Sequence, residues 1–144
     1  FKAYLSEVAK ESNVKERFHF YGPVGSHEVT SFIQSADLGI APIENVCLSY
    51  YYCAPNKVFE YIQGGIPVVS SNFPDMERVV IENEIGKTFD PVSYEKIAQV
   101  IQEVLTDNEK FEVYKENVMK LSDIYKWENE EKKLLVLYDK ITTH

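Results

Sequence analysis

Apolar positions recur along this chain with two alternating periods, and the alternation predicts helices and strands in turn. Tyr4, Leu5 and Val8 share a helical spacing over residues 1–12 that Asn13 interrupts. Arg17-Phe18-His19-Phe20-Tyr21 is short, aromatic and alternating, and it stops at Gly22-Pro23, which predicts a strand closed by a turn. Ser26 is placed to cap a helix through Val29, Phe32, Ile33 and Ala36. Residues 38–42 read as a buried strand with Pro42 at its exit, followed by a polar-aromatic loop over 43–54. Pro55 suits the first position of a helix that runs to Gln63, where Gly64-Gly65 stops it. Residues 67–71 predict the next strand. Pro74 or Asp75 then opens a helix through Val79, Val80 and Ile81, and residues 86–90 form a short strand ending at Pro91. Ser93 caps a helix that aligns Ile97, Ala98, Ile101, Val104 and Leu105. Two amphipathic helices close the chain, one aligning Phe111, Tyr114, Val118 and Leu121, the other Trp127, Leu134, Tyr138 and Ile141.

Strands separated by helices predict βαβ units and an α/β fold with a parallel sheet. Such sheets bind ligands beyond the carboxyl ends of their strands, so the loops 22–26, 42–57, 71–75 and 90–93 are the places to search. The 144 residues are read as one domain, 1–144, with no repeat or linker. A chain of this length buries roughly 70% of its unfolded surface and needs no staple.

Charge narrows the partners. The formal net charge is −8, and no Lys/Arg cluster exceeds the pair Lys132-Lys133, so nucleic acid and anionic membrane surfaces are poor partners. No stretch reaches the roughly 18 apolar residues of a membrane span. Phe1 to Glu7 shows neither a basic nor an apolar leader region, which points to a cytoplasmic chain, and the absent initiator Met is expected of a sequence that begins mid-protein. Cys47 and Cys53 do not have CxxC spacing, and none of His19, His27 and His144 adjoins them, so two reduced thiols and no metal are expected.

The stretch Pro55-Asn56-Lys57-Val58-Phe59-Glu60-Tyr61 carries the most chemistry. A helix beginning at Pro55 presents unpaired backbone N–H groups and the positive end of its dipole, and Lys57 adds a full charge in the same turn. Glu60 follows Lys57 by three residues and Asn56 by four, so the three share a face, while Val58, Phe59 and Ile62 bury the other. A carboxylate one turn below a phosphate site is placed to accept hydrogen bonds from vicinal ribose hydroxyls. Spacing alone favours an exposed Lys57–Glu60 surface pair, since such pairs are common on any helix.

This stretch, with its two glycines and Pro67-Val68-Val69, resembles the donor-site region of family 4-type (group 1) glycosyltransferases. Residues 17–24, 36–42 and 85–91, together with Trp127-Glu128 and Leu137-Tyr138, are similar to further segments of that family. The resemblance implies a Rossmann-like parallel sheet with flanking helices, the C-terminal half of a GT-B fold. It also implies binding of a nucleoside-diphosphate sugar, with no separate cofactor, for transfer to a saccharide or lipid-linked acceptor held by a missing N-terminal domain. Glu60 matches the family's ribose-gripping Glu. Gly22 and Val24 match its nucleobase contacts; Lys57, with Pro55 and Asn56, matches the diphosphate site.

The match has departures. The family's first Glu, eight positions before Glu60, falls on Tyr52, which supplies no carboxylate. Tyr52 is therefore the candidate at the transferred sugar, within a loop that also carries Tyr50 and Tyr51. No Gly-Arg…Lys phosphate grip precedes Arg17. His19 reads as a packed residue and His27 as solvated, so no catalytic base is assigned. The family reading implies retaining hexosyl transfer. The alternatives are a nucleotide-sugar epimerase half of the same fold and a noncatalytic α/β binding module such as a signalling receiver. By the resemblance, 17–21 is the third strand of a Rossmann sheet and 38–42, 67–71 and 86–90 are strands four to six, with the first two before Phe1. That arrangement predicts an open edge, closed either by direct pairing of 17–21 with 38–42 or by self-association.

Overall fold

A computed structural model describes residues 2–142; Phe1, Thr143 and His144 lie outside the described residues. Three parallel strands, β1 (Gly39–Ala41), β2 (Val68–Ser71) and β3 (Gly86–Phe89), form one sheet in the order β1-β2-β3. The helices are α1 (Lys2–Glu11), α2 (Val29–Ile33), α3 (Leu48–Tyr51), α4 (Asn56–Gly64), α5 (Pro74–Val80), α6 (Tyr94–Thr106), α7 (Asn108–Ile124) and α8 (Trp127–Thr142). Register pairs Gly39 with Val68 and Ala41 with Ser70 on one side of β2, and Val68 with Gly86 and Ser71 with Phe89 on the other.

All four residues of β2 are buried. Successive side chains of a strand point to opposite faces, and the core divides accordingly. Val68 packs with Val58 and Ile62 of α4 and Val79 and Val80 of α5, whereas Val69 packs with Phe89, Val104 of α6 and Tyr114 of α7. The sheet is therefore covered on both sides, and the parallel α/β reading of the sequence holds.

The local chemistry explains the boundaries of α4. Pro55 is its N-cap, with extended backbone, so the first helical residue is Asn56 rather than Pro55. Gly65 ends it in the left-handed conformation (φ 71°, ψ 24°), where a Cβ would be strained, and Ile66 N–H returns to the Tyr61 carbonyl at 3.2 Å. Gly39 serves a different need. A Cβ there would lie 2.3 Å from Cγ of Tyr61, because the Tyr61 ring crosses β1 at that point.

Two expectations fail, and one expected helix stands uncovered. Residues 17–21 form no strand: Lys15–Arg17 is a short 3-10 turn and 18–25 are irregular. A ladder needs a neighbour, and among the described residues β1 pairs only with β2, so direct pairing of 17–21 with β1 is absent. Aromatic contacts hold the segment instead, with Phe18 and Phe20 edge-to-face at 4.9 Å and Tyr21 against Phe32 at 5.0 Å. Ser26 does not cap α2, because Glu28 N–H bonds the Gly25 carbonyl at 2.8 Å and the resulting turn absorbs Ser26 and His27. The apolar stripe of α8 is not covered: none of its residues is buried, and Trp127, Leu134, Leu137, Tyr138 and Ile141 are all exposed. The Ser93 cap is as expected, its hydroxyl accepting from Lys96 N–H at 3.4 Å.

Gly39→Ala should lower stability by about 1–3 kcal/mol through overpacking against Tyr61, and Gly39→Ala combined with Tyr61→Ser should recover part of that loss. Denaturant unfolding of the three variants measures both. A Gly39→Ala chain as stable as wild type would mean that the Tyr61 ring does not lie across β1.

Candidate functional site

Chain direction decides where the helices point. Each of β1, β2 and β3 is followed by a connection that leads into a helix packed back along the sheet, so α4, α5 and α6 all begin at the carboxyl edge. The side chains singled out in the sequence divide between this edge and a separate surface.

On α4, Val58 and Ile62 are fully buried and Phe59 packs on Tyr125, ring centres 5.3 Å apart. Asn56, Lys57 and Glu60 are thereby turned to solvent. Pro55 offers no side-chain cap; the Val58 N–H bonds the Pro55 carbonyl at 3.0 Å, which leaves the amides of Asn56 and Lys57 without a partner in the helix. Lys57 and Glu60 form no ion pair with each other or with other described residues. The surface-pair geometry is thus not adopted, and an uncommitted cation and carboxylate sit one turn apart on a rigid helix. The next residue feels the carboxylate. Burial pushes the Tyr61 hydroxyl above its ordinary pKa and the Glu60 charge adds to that, while the hydroxyl donates to the Ile40 carbonyl. That bond is 3.1 Å long and occupies a carbonyl of the edge strand.

The loop between β1 and α4 carries the tyrosines. Tyr51 is half-buried, edge-to-face with Tyr52 at 4.9 Å and tilted against Phe73 at 5.3 Å. Tyr50 and Tyr52 are exposed. At the start of the same loop, the Ser71 hydroxyl donates to the Ile43 carbonyl and accepts from the Ile43 N–H, both at 2.8 Å. The sequence reading missed Ser71 and Phe73. The signal for Ser71 was present: two serines end a strand that is otherwise Val-rich, and a buried hydroxyl must find a partner.

Gly22 and Val24 lie elsewhere. Both are exposed, and Val24 borders an open cavity with Pro23, His27, Glu28, Ser31 and Phe32 that no residue of 55–60 lines. The structure thus gathers Pro55, Asn56, Lys57 and Glu60 on one helix, brings Tyr52 to the loop that feeds it, and leaves Gly22 and Val24 on the α2 side. His19 and His27 are exposed, which corrects the packed reading of His19: the segment that carries it has no sheet to pack in. Cys47 and Cys53 are free thiols. Among the described residues no group of His, Cys, Asp or Glu converges as a metal centre would, and no helix is long and apolar enough to cross a membrane. A cavity lined by Gln34, Asp37, Gly65 and Lys115 lies at the opposite edge, where the strands begin, and Lys115 there is already paired with Glu112 at 2.8 Å.

Comparison with known proteins gives this geometry a context. The chain is 25% identical over 139 residues to a D-inositol 3-phosphate glycosyltransferase of Corynebacterium urealyticum, covering 96% of this chain and 31% of that protein. Its fold is similar to that of a sucrose-phosphate synthase from Thermosynechococcus elongatus, with a TM-score of 0.81 at 21% identity over 96% of this chain and 34% of the other. The chain therefore spans about a third of the length of each of these relatives. The family described as glycosyl transferases group 1 matches residues 1–121. Most of this chain lies within that match, and the chain belongs to the group 1 glycosyl transferases.

Proposed function

We propose that this chain binds the nucleoside-diphosphate sugar of a glycosyl-transfer reaction. The observation that carries the reading is the uncommitted pair on α4: a lysine in the first turn and a carboxylate one turn below, both solvent-facing on a helix anchored by Val58 and Ile62. The diphosphate lies at the amino end of α4, where the dipole, the free amides and Lys57 act together. Glu60 accepts hydrogen bonds from the two ribose hydroxyls. The sugar extends toward the loop carrying Tyr52, where an aromatic face replaces a carboxylate. Gly22 and Val24 approach the nucleobase only if residues 22–24 reach across from the α2 side when the donor is bound.

Family membership supports glycosyl transfer as the chemistry. Retaining transfer of a hexosyl group, in polysaccharide or glycoconjugate synthesis in the cytoplasm, follows from the same likeness. A saccharide or lipid-linked acceptor is held by a further domain, as the chain's one-third share of its relatives supports. No other group is required as a cofactor, since the donor brings its own leaving group.

Glu60→Ala should weaken binding of a nucleoside diphosphate roughly ten- to a hundredfold, since hydrogen bonds to a charged group are worth about 1.5–3 kcal/mol. Isothermal calorimetry measures it, and unchanged affinity would return Glu60 to the solvated surface.

Lys57→Ala should separate two ligands. Affinity for the diphosphate falls about tenfold, as for loss of one charge-assisted contact, while affinity for the free nucleoside stays within about twofold. Equal losses for both would show that Lys57 acts on the fold and not on the phosphate.

A further inference from the structure

The connection from Pro42 to Pro55 presents exposed apolar and aromatic side chains, Val46, Leu48, Tyr50 and Tyr52 among them. Its path is nevertheless fixed at both ends by the short connection that follows β2. At the near end Ala41 pairs with Ser70, and by the alternation of a parallel ladder the next peptide groups that face β2 belong to Ile43. Asn72, opposite them in register, faces β3, its N–H bonded to the Phe89 carbonyl at 2.9 Å. The Ser71 side chain takes over. Fully buried, its one hydroxyl satisfies both the N–H and the C=O of Ile43 at 2.8 Å. At the far end the Tyr51 ring rests on Phe73, which is itself buried. Ser71 and Phe73 stand two residues apart, so one rigid segment sets where the whole loop lies.

We propose that Ser71 is a positioning residue for the sugar end of the donor site, acting through the loop and touching no ligand; this rests on the donor reading above. By holding Ile43, it fixes the departure of the chain from the sheet and, with the Tyr51–Phe73 contact, the place of Tyr52 beside the amino end of α4. The nucleotide grip on α4 does not depend on it, because α4 is anchored separately through Val58 and Ile62. Ser71 should therefore matter for the sugar and not for the nucleotide.

The test uses Ser71→Ala, which removes only the hydroxyl, and Tyr51→Ala, which frees the other end. Hydrogen exchange is followed by mass spectrometry, and calorimetry compares a nucleoside diphosphate with its sugar conjugate. Each variant should speed amide exchange within 43–53 about tenfold, with residues 58–64 unchanged. Each should lower affinity for the sugar conjugate about fivefold while the plain nucleoside diphosphate stays within about twofold. Unchanged exchange in 43–53 for Ser71→Ala would overturn the positioning role. Faster exchange with equal losses for both ligands would overturn its assignment to the sugar end. A wild-type chain that binds neither ligand contradicts the donor reading, and the assignment to the sugar with it, whereas exchange still reports whether Ser71 holds the loop.

Discussion

The structure depends on the burial of β2. With all four of its residues buried, this strand must be covered on both faces and paired on both edges, and a parallel sheet with helices on either side meets that demand. Parallel pairing in turn requires every connection to travel the length of the sheet, so each returning helix starts at the same edge. The edge at which those helices begin is a consequence of the core. Nothing about Lys57 or Glu60 is needed to form α4, which is held by Val58, Ile62 and the left-handed Gly65; the polar face is free to be chemical because the apolar face does the structural work.

The same separation reconciles a net charge of −8 with the proposed diphosphate site. Net charge acts over distances at which salt screens it, about 8–10 Å at ordinary ionic strength. A bound anion responds to groups in contact with it, which at the head of α4 are backbone amides and an ammonium without an acidic partner. One side of the sheet stays less settled. The outer edge of β1 carries no strand among the described residues, and Tyr61 lies over Gly39 and bonds the Ile40 carbonyl. That contact shields one acceptor of an edge that would otherwise stand open.

Much of this was legible in the sequence because local and global preferences agree. Residues 38–42 and 67–71 are short Val/Ile/Leu-rich segments marked by Pro42 and Pro67, residues 86–90 run from Gly86 to the turn at Pro91, and all three appear as strands within a residue or two of those limits. The α4 segment announced itself through Pro55, the two glycines and the apolar 58-59-62 face. Residues 17–21 misled because alternation describes a strand's faces and says nothing of its edges; without a neighbour the same side chains pair with one another. The stripe of α8 foretold the helix but not its surroundings, since spacing marks a face that wants cover without supplying the cover. The serines at the end of β2 hinted at a buried hydroxyl in need of a partner, but that the partner is Ile43, 28 residues away, is beyond what spacing can say. Tyr52 could be placed in the loop by its number, but that Tyr51 faces inward while Tyr52 faces out depends on Phe73.

The central claim is that the ligand edge is the one where α4 begins. Amide chemical shifts of the isotopically labelled chain, followed while a nucleoside diphosphate is titrated in, test it most directly. The account predicts the largest changes at Asn56 through Glu60, with little change at Asp37, Gly65 and Lys115 around the cavity of the opposite edge. Changes centred on that opposite cavity, with Asn56 to Glu60 unmoved, would contradict it.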